Sequence, residues 1–250
     1  MNRACLIILW SFALPFGFTL TSSPGTPLQG SLGKLQLPGI TLNLEERCVD
    51  VDAEVCLHDG LLELLACTPD TKEHESVVVL KARPMHIHTA LLLFGAEPGS
   101  PAGQKRFGEG GGQWVPVPPS GGQVTVSFVF AGKDGKLIEH PASQFIEQAG
   151  HYDFDGTPLP REKVEVFPSE FIFAGSQLVE DGLGPRKYVA DYSGNVISIS
   201  TFGDELLCLP GIYGHQNGGL SWQVNPKGLP PVGGKVTLRL RPKKNLPKPE

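Results

Sequence analysis

The sequence has little concentrated positive charge. Its 250 residues carry 21 lysines and arginines against 26 aspartates and glutamates, which gives a formal net charge of −5. The one basic cluster is Arg-Leu-Arg-Pro-Lys-Lys at 239–244, which we expect to be a solvated end of the chain. Proteins bind phosphate backbones through clustered lysine and arginine, so this composition argues against a nucleic acid as a partner.

The sequence also lacks the spacings of several common sites. No two cysteines are spaced C-x-x-C, which disfavours a cysteine-ligated zinc or iron–sulfur centre. The glycine run at 110–112 does not follow a predicted strand and open a helix, so it does not indicate a phosphate-binding loop. His74-Glu75 is not followed by a second histidine, because that position is Val78, and Ser76 is not in a Gly-x-Ser-x-Gly motif. A hydrolase therefore has little support.

Apolar residues are concentrated at the N-terminus. Arg3 makes the start basic, residues 4–20 are mostly apolar, and small residues follow at 21–23, which is the pattern of a secretory signal peptide. We therefore expect a signal peptide at 1–22 and a periplasmic or extracellular protein. The apolar run is shorter than the roughly 20 residues of a spanning helix, although an uncleaved membrane tether is the alternative. No later run is long enough to span a bilayer, so we expect no membrane span after signal cleavage.

Residues 23–250 suffice for one β-rich domain or two small ones. Without Arg3 the net charge changes from −5 to −6. We expect a flexible linker at 23–36, a single domain at 37–242 and a disordered tail at 243–250. The 31 glycines and 23 prolines punctuate short apolar segments, which indicates many short strands joined by turns.

The clearest local pattern predicts a hairpin. Residues 48–57 alternate between apolar and polar or cysteine side chains, as in a half-buried strand. Asp59-Gly60 is typical of a two-residue turn, and a second strand would run over 61–67. That turn would set Leu57 opposite Leu62, Val55 opposite Leu64 and Ala53 opposite Ala66.

The same register constrains the cysteines. It places Cys56 and Cys67 four residues out of register, roughly 13 Å apart, beyond the 4.4–6.8 Å between the Cα atoms of a disulfide. Cys48 is equally far from Cys67 and farther from Cys56. We therefore expect no bridge among these three, and at most one bridge, through Cys208. An exported protein does tend to oxidise its thiols.

Further patterns predict the rest of the fold. Pro84 and Gly95 bracket a predicted helix at 85–94, on which His86 and His88 are about 200° apart and cannot share one metal. Residues 124–130 and 136–140 read as a hairpin around the turn at 132–135. Further strands are predicted at 171–174, 195–200, 221–224 and 236–241. The fold class is α+β, predominantly β, with short antiparallel strands and hairpins and one or two short helices packed on the sheet.

Several segments together resemble one known family. They are residues 56–57 and 60–65, the run Lys72-Glu73-His74-Glu75-Ser76, residues 88–95 with Pro98-Gly99, and the later segments at 124–126, 188–191 and 230–233. Over residues 38–242 the chain resembles the YdjY family of bacterial exported proteins. The resemblance implies one domain and an envelope location, and no established reaction. It marks His74, Glu75 and His88 as matching the family pattern.

Histidine and carboxylate side chains are common metal ligands, so His74, Glu75 and His88 could hold a transition metal. Glu75 could instead orient a histidine or act as a base. The alternative is a buried hydrogen-bond network that ties strand to helix, with Lys72 and Glu73 solvated. Two functions follow. The first, which we favour, is a non-catalytic envelope domain that binds a partner protein or small ligand. The second is a metal- or redox-centre protein that uses these three residues, with Cys67 or Cys56 as an optional further ligand.

Overall fold

The computed structural model describes residues 37–108, 112–150, 155, 157, 165–180, 182, 184–214 and 221–243. The predicted signal peptide at 1–22 and the linker at 23–36 lie outside these residues, as does all of the predicted tail except Lys243. Among the described residues, no helix has the length and hydropathy needed to cross a membrane.

Strands dominate the described residues. They are β1 (Ile40–Asn43), β2 (Cys48–Val55), β3 (Leu64–Cys67), β4 (Ser76–Leu80), β5 (Pro98–Ser100), β6 (Gly103–Phe107), β7 (Gln113–Val117), β8 (Ser120–Gly121), β9 (Gln123–Ala131), β10 (Leu137–Pro141), β11 (Ile146–Gln148), β12 (Glu170–Ile172), β13 (Leu178–Val179), β14 (Lys187–Tyr188), β15 (Ile197–Ser198), β16 (Leu207–Cys208), β17 (Trp222–Val224) and β18 (Lys235–Pro242). The helices are α1 (Pro84–Leu93) and α2 (Ala190–Ser193), and 3-10 turns occupy Glu73–Glu75 and Ala142–Phe145.

Eight strands close into a barrel, in the order β2, β18, β9, β12, β16, β15, β3, β4 and back to β2. β1 extends β2, and β10 extends β9. Most pairs are antiparallel, but β3 with β4 and β15 with β16 are parallel. The predominantly β prediction is therefore confirmed, whereas the purely antiparallel picture is too simple.

The barrel interior is filled by alternate residues of long strands. On β2, Val49, Val51 and Val55 are at most 1% exposed, while Asp52 is exposed. This confirms the alternation predicted for that strand. Leu238 of β18 lies opposite both Val51 and Phe128 of β9, and all three are fully buried. The core thus joins strands that are far apart in sequence.

The predicted hairpin between residues 48–57 and 61–67 is wrong. β2 and β3 do not pair, because β4 lies between them, antiparallel to β2 and parallel to β3. The chain leaves the sheet after Val55, and residues 60–62 pair with β17 through backbone hydrogen bonds to Trp222 and Val224. β4 therefore occupies the place beside β2 that the predicted turn would give to β3.

Other local predictions are confirmed. The helix expected at 85–94 is α1, with Pro84 as its first residue and Gly95 just beyond it at φ +79°. Its buried residues are Pro84, Ile87, Ala90 and Leu91. The predicted hairpin of β9 and β10 also forms, with Leu137 opposite Ala131.

The basic residues near the C-terminus are not simply solvated, as the sequence suggested. Arg239 makes two hydrogen bonds to the Asp50 carboxylate, at 2.7 and 2.8 Å, and also contacts Glu46 and Glu139. Arg241 bonds to Glu139 at 2.8 Å and Glu46 at 3.0 Å. The prediction failed because β18 is central in the sheet, so its outward side chains face acidic residues of the adjacent chain segments.

Candidate functional site

The run from Lys72 to Ser76 is held rigidly at the start of β4. Glu73 accepts hydrogen bonds from the backbone N–H groups of Asp70 at 2.5 Å and Thr71 at 3.0 Å. The Ser76 hydroxyl donates to the Lys72 carbonyl at 2.7 Å, and Ser76 is fully buried. The intervening 3-10 turn therefore presents its side chains in fixed directions.

Lys72 and Glu75 point toward Glu63, which precedes β3. The Lys72 Nζ atom lies 3.6 Å from a Glu63 carboxylate oxygen and 3.7 Å from a Glu75 oxygen. It also lies 3.4 Å from the centroid of the Phe202 ring, within cation–π range. The three charged side chains are only 12–24% exposed. We call Glu63, Lys72, His74, Glu75 and Phe202 the carboxylate cluster.

The surroundings of Glu63 in this cluster disfavour its ionisation. Burial, and then the charge of Glu75 and a hydrogen bond with it, raise the pKa of Glu63, while Lys72 opposes the shift. A neighbouring negative charge disfavours the ionised form of a carboxyl group, and a neighbouring positive charge favours it. The ionisation of Glu63 is therefore set by the opposing effects of Glu75 and Lys72.

The other predicted site residues are placed differently. His74 is 77% exposed, and its Nε2 atom lies 3.8 Å from a Glu75 oxygen. His88 is half-buried on α1, where its Nδ1 atom lies 2.9 Å from the Tyr188 hydroxyl, which in turn donates to the Gly175 carbonyl. The His88 ring also meets Phe173 edge to face. Burial lowers the pKa of His88, which favours neutral imidazole.

The structure thus brings His74 and Glu75 together and gives His88 a different set of partners. Among the described residues, no group of three or more histidine, cysteine, aspartate or glutamate side chains could hold a metal ion. The metal site of His74, Glu75 and His88 stays a prediction that this geometry does not favour. The strand-to-helix hydrogen-bond network between these residues is likewise replaced by separate contacts.

Two cysteines lie close to the carboxylate cluster. The Cys56 thiol donates to the Ser76 carbonyl oxygen, with its Sγ atom 3.1 Å away. The influence of the Cys56 side chain, with those of the Ser76 side chain and the Lys72 backbone, lowers the pKa of Cys67 to about 7 against the effect of burial. The Cys67 side chain and burial raise the pKa of Cys56.

The hairpin register used to separate Cys56 from Cys67 does not form, because β4 lies between β2 and β3. The expectation of no bridge among Cys48, Cys56 and Cys67 nevertheless agrees with the structure. All four described cysteines are free thiols, so the bridge through Cys208 is not formed in the structure. Burial raises the pKa of Cys48 to about 11 and that of Cys208 to about 12. Both shifts are typical of buried thiols.

A family model now places the chain among known proteins. The model of the YdjY domain matches residues 40–241, most of the chain. The chain belongs to the YdjY family. No curated protein and no solved structure matches it. The match spans the whole barrel, from β1 to β18, so the YdjY domain includes the closed sheet together with the carboxylate cluster.

Sequence reasoning missed the roles of three members of the YdjY carboxylate cluster. Lys72 was expected to be solvated, yet it lies between two carboxylates and an aromatic ring. Glu63 was given no role in a site. A signal for it existed, because Glu63 is the one charged residue in the apolar run at 61–67. Phe202 could not be found this way, since it comes from a loop far along the chain.

Proposed function

We propose that this YdjY protein is an exported, non-catalytic binding domain that recognises a cationic group through the carboxylate cluster. The observation that carries the proposal is the close pairing of Glu63 and Glu75 in a site with little solvent. Such an arrangement costs stability, and costs of this kind are concentrated at functional sites.

The chemistry of the cluster supports a cationic ligand. Two carboxylates and the face of an aromatic ring are the groups that bind ammonium and guanidinium ions. In the structure the ammonium group of Lys72 occupies this position. A cationic ligand, either free or part of a partner protein, would displace the Lys72 ammonium group or bind one of the two carboxylates beside it.

Access to the cluster supports binding from outside the barrel. His74 is largely exposed beside Glu75 and gives the site a polar edge that faces solvent. Glu63 and Glu75 are buried enough to strengthen their electrostatic interactions but retain 12% and 21% exposure. A ligand would therefore reach the carboxylates without the sheet opening.

Binding is tested with arginine amide and small alkylammonium ions as probes, measured by calorimetry on the purified chain. We expect saturable binding that Glu75→Gln weakens about tenfold, which corresponds to about 1.4 kcal/mol. Glu45→Gln, which alters an exposed carboxylate in a turn, is the matched control and should bind as the wild type does. Equal affinities for all three proteins, or no binding by any, would contradict the proposal.

Export is tested separately. The N-terminal pattern supports cleavage near residue 22 and release into the periplasm or medium. Mass spectrometry of the protein isolated from its native cell fraction should show a chain that begins close to residue 23. A cytosolic protein that retains Arg3 would refute export, without affecting the binding test.

A further inference from the structure

The β6–β7 hairpin is a two-stranded ribbon whose two faces are both open to solvent. All ten of its residues are exposed, and neither strand pairs with a further strand in the described part of the chain. Phe107 is 74% exposed and Trp114 is 54% exposed, and Val115 and Val117 are exposed as well. Apolar surface that is left open in this way is typical of an interaction site.

The root of this ribbon is fixed to the barrel. β5 and β8, which flank the ribbon in sequence, pair with each other. The Gly99 backbone N–H donates to the Phe173 carbonyl at 2.9 Å. A Cβ atom on Gly121 would clash with that same carbonyl oxygen, so only glycine allows this close approach. The root is therefore held firmly, although the ribbon beyond it is exposed.

The aromatic residues lie at the far end of the ribbon, beside its positive charges. Phe107 is opposite Gln113 in the last pair of the register, and Arg106 is opposite Trp114 in the pair before it. Opposed residues share a face and successive residues alternate, so Phe107 and Trp114 lie on opposite faces. The Arg106 guanidinium is 4.9 Å from the centroid of the Trp114 ring, and Lys105 adds a second cation.

The charge of the ribbon is opposite to that of the whole chain. Its ten residues include two cations and no carboxylate. The segment 98–121 has a net charge of +1 when Glu109, which lies outside the described residues, is counted, whereas the whole chain has −5. A basic and aromatic element on an acidic protein favours an anionic partner surface.

We propose that this ribbon binds the surface of an anionic lipid bilayer. Tryptophan and phenylalanine favour the boundary between headgroups and acyl chains, and adjacent lysine and arginine contact anionic headgroups. A fluid bilayer can surround Phe107 and Trp114 at once, whereas a flat protein surface would cover only one face of the ribbon. This attachment goes beyond the proposed cation recognition and uses none of the residues of the carboxylate cluster.

The ribbon should enter only the headgroup region. Among the described residues, each of its strands has one edge without a partner strand. Unpaired backbone N–H and C=O groups are excluded from the hydrocarbon core, but water and headgroups can hydrogen-bond with them at the interface. Binding would therefore place the barrel on the membrane surface.

The test is co-sedimentation of the purified chain from residue 23 onward with lipid vesicles. That chain keeps every described residue and lacks the apolar run at 4–20, which could bind lipid by itself. We expect binding to mixed phosphatidylglycerol and phosphatidylcholine vesicles that weakens as salt rises, and about tenfold weaker binding to phosphatidylcholine alone. Absence of binding to the mixed vesicles, or equal affinity for both compositions, would overturn the proposal.

Five substitutions locate the binding surface. Phe107→Ala and Trp114→Ala should each weaken vesicle binding about tenfold, and Lys105→Gln about fivefold. Leu137 is 75% exposed and the Lys136 side chain 83%, and both lie where β10 begins. Leu137→Ala and Lys136→Gln are therefore matched controls that should bind as the parent chain does. Losses in these controls equal to those in the ribbon would overturn the assignment.

A crosslinking measurement separates lipid from protein as the bound surface. A benzophenone-bearing amino acid in place of Phe107 should form adducts with lipid when the native cells are irradiated. Adducts with protein alone would overturn the proposal and assign the ribbon to a protein contact. Either result is independent of the arginine amide titration, because Phe107 and Trp114 are not part of the carboxylate cluster.

Discussion

At the scale of single residues, side chains depend on partners that come from other strands. Glu63, Lys72 and Glu75 contact one another because β4 follows a rigid turn beside β3. Arg239 is similar, since it holds carboxylates from three other segments of the chain. Each of these groups would be ordinary and solvated in an unfolded chain. For Glu63 and Arg239, whose pKa values are raised in the folded chain, ionisation is therefore coupled to folding.

Glu63 makes the stability of the protein depend on pH. Its pKa is raised in the folded state, so the folded chain binds this proton more tightly than the unfolded chain does. The contribution of Glu63 to stability therefore falls as pH rises from the ordinary glutamate range through the raised pKa. Glu63→Gln should gain stability relative to the wild type between pH 5 and pH 8, as measured by urea unfolding. A difference that does not change with pH would contradict this, and Glu45→Gln is the control.

Glu139 should act in the opposite direction. The Arg241 guanidinium, with help from Arg239, lowers the pKa of Glu139 to about 2. The stabilisation by this carboxylate is therefore present above pH 4.5 and is lost as the pH falls toward 2. Thermal unfolding followed by circular dichroism should show that Glu139→Gln flattens the decline between those pH values. An unchanged acid limb would mean that other carboxylates dominate it.

The two kinds of arginine ion pair should differ sharply in stability. Arg239 is 12% exposed and bonds to Asp50 through both arms of its guanidinium, so Arg239→Ala leaves poorly hydrated carboxylates without a cation. We expect a loss of about 3 kcal/mol in the free energy of unfolding. Arg186 pairs with Glu180 at 65% and 66% exposure, so Arg186→Ala should cost less than about 1 kcal/mol. Similar losses in the two variants would refute the distinction.

At the scale of elements, local sequence predicted where strands and the helix lie better than it predicted which strands pair. Three features could be predicted because each depends on residues that are neighbours in sequence. They are the alternation on β2, the proline and glycine around α1, and the β9–β10 hairpin. The Asp59-Gly60 signal failed because residues 60–62 bond to β17, some 160 positions later. A turn motif indicates only which conformation is favoured locally. Here pairing with a distant strand replaces that turn.

The β6–β7 hairpin should contribute little to stability. All ten of its residues are exposed, and Trp114 is 54% exposed, whereas Trp222 of β17 is 7% exposed and packs against Phe167. Trp222→Ala should cost about 3–5 kcal/mol in the free energy of unfolding. Trp114→Ala should stay within about 0.5 kcal/mol, as exposed substitutions do. Denaturant unfolding of both variants checks this, and a large effect of Trp114→Ala would show that the hairpin packs on the barrel.

At the scale of the whole molecule, the barrel is closed by contacts between distant parts of the chain. β18 lies between β2 and β9, so the last strand completes the sheet that the second one begins. The sequence predicted a predominantly β fold but no order of strands, because pairing between segments nearly 190 residues apart leaves no local pattern. For the same reason the carboxylate cluster was predicted only in part. The run from Lys72 to Ser76 was recognised, whereas its proximity to Glu63 and Phe202 was not.

Truncation tests this closure. A chain that ends at Gly234 lacks β18 and should lose the cooperative thermal transition, because Val51 and Phe128 both lose Leu238. A chain that ends at Lys243 keeps every described strand and should melt as the full chain does. Circular dichroism and limited proteolysis distinguish the two. A stable fold in the shorter chain would mean that β2 and β9 can pair without β18.

The position of β4 has one more consequence. β4 closes the barrel, because it pairs with β3 on one side and with β2 on the other. Its first residue directly follows Glu75. A ligand that binds both Glu63 and Glu75 would link the residues that directly precede β3 and β4. Ligand binding should then slow amide hydrogen exchange at Val77, Val78 and Val79 of β4. That measurement would show whether the site is occupied.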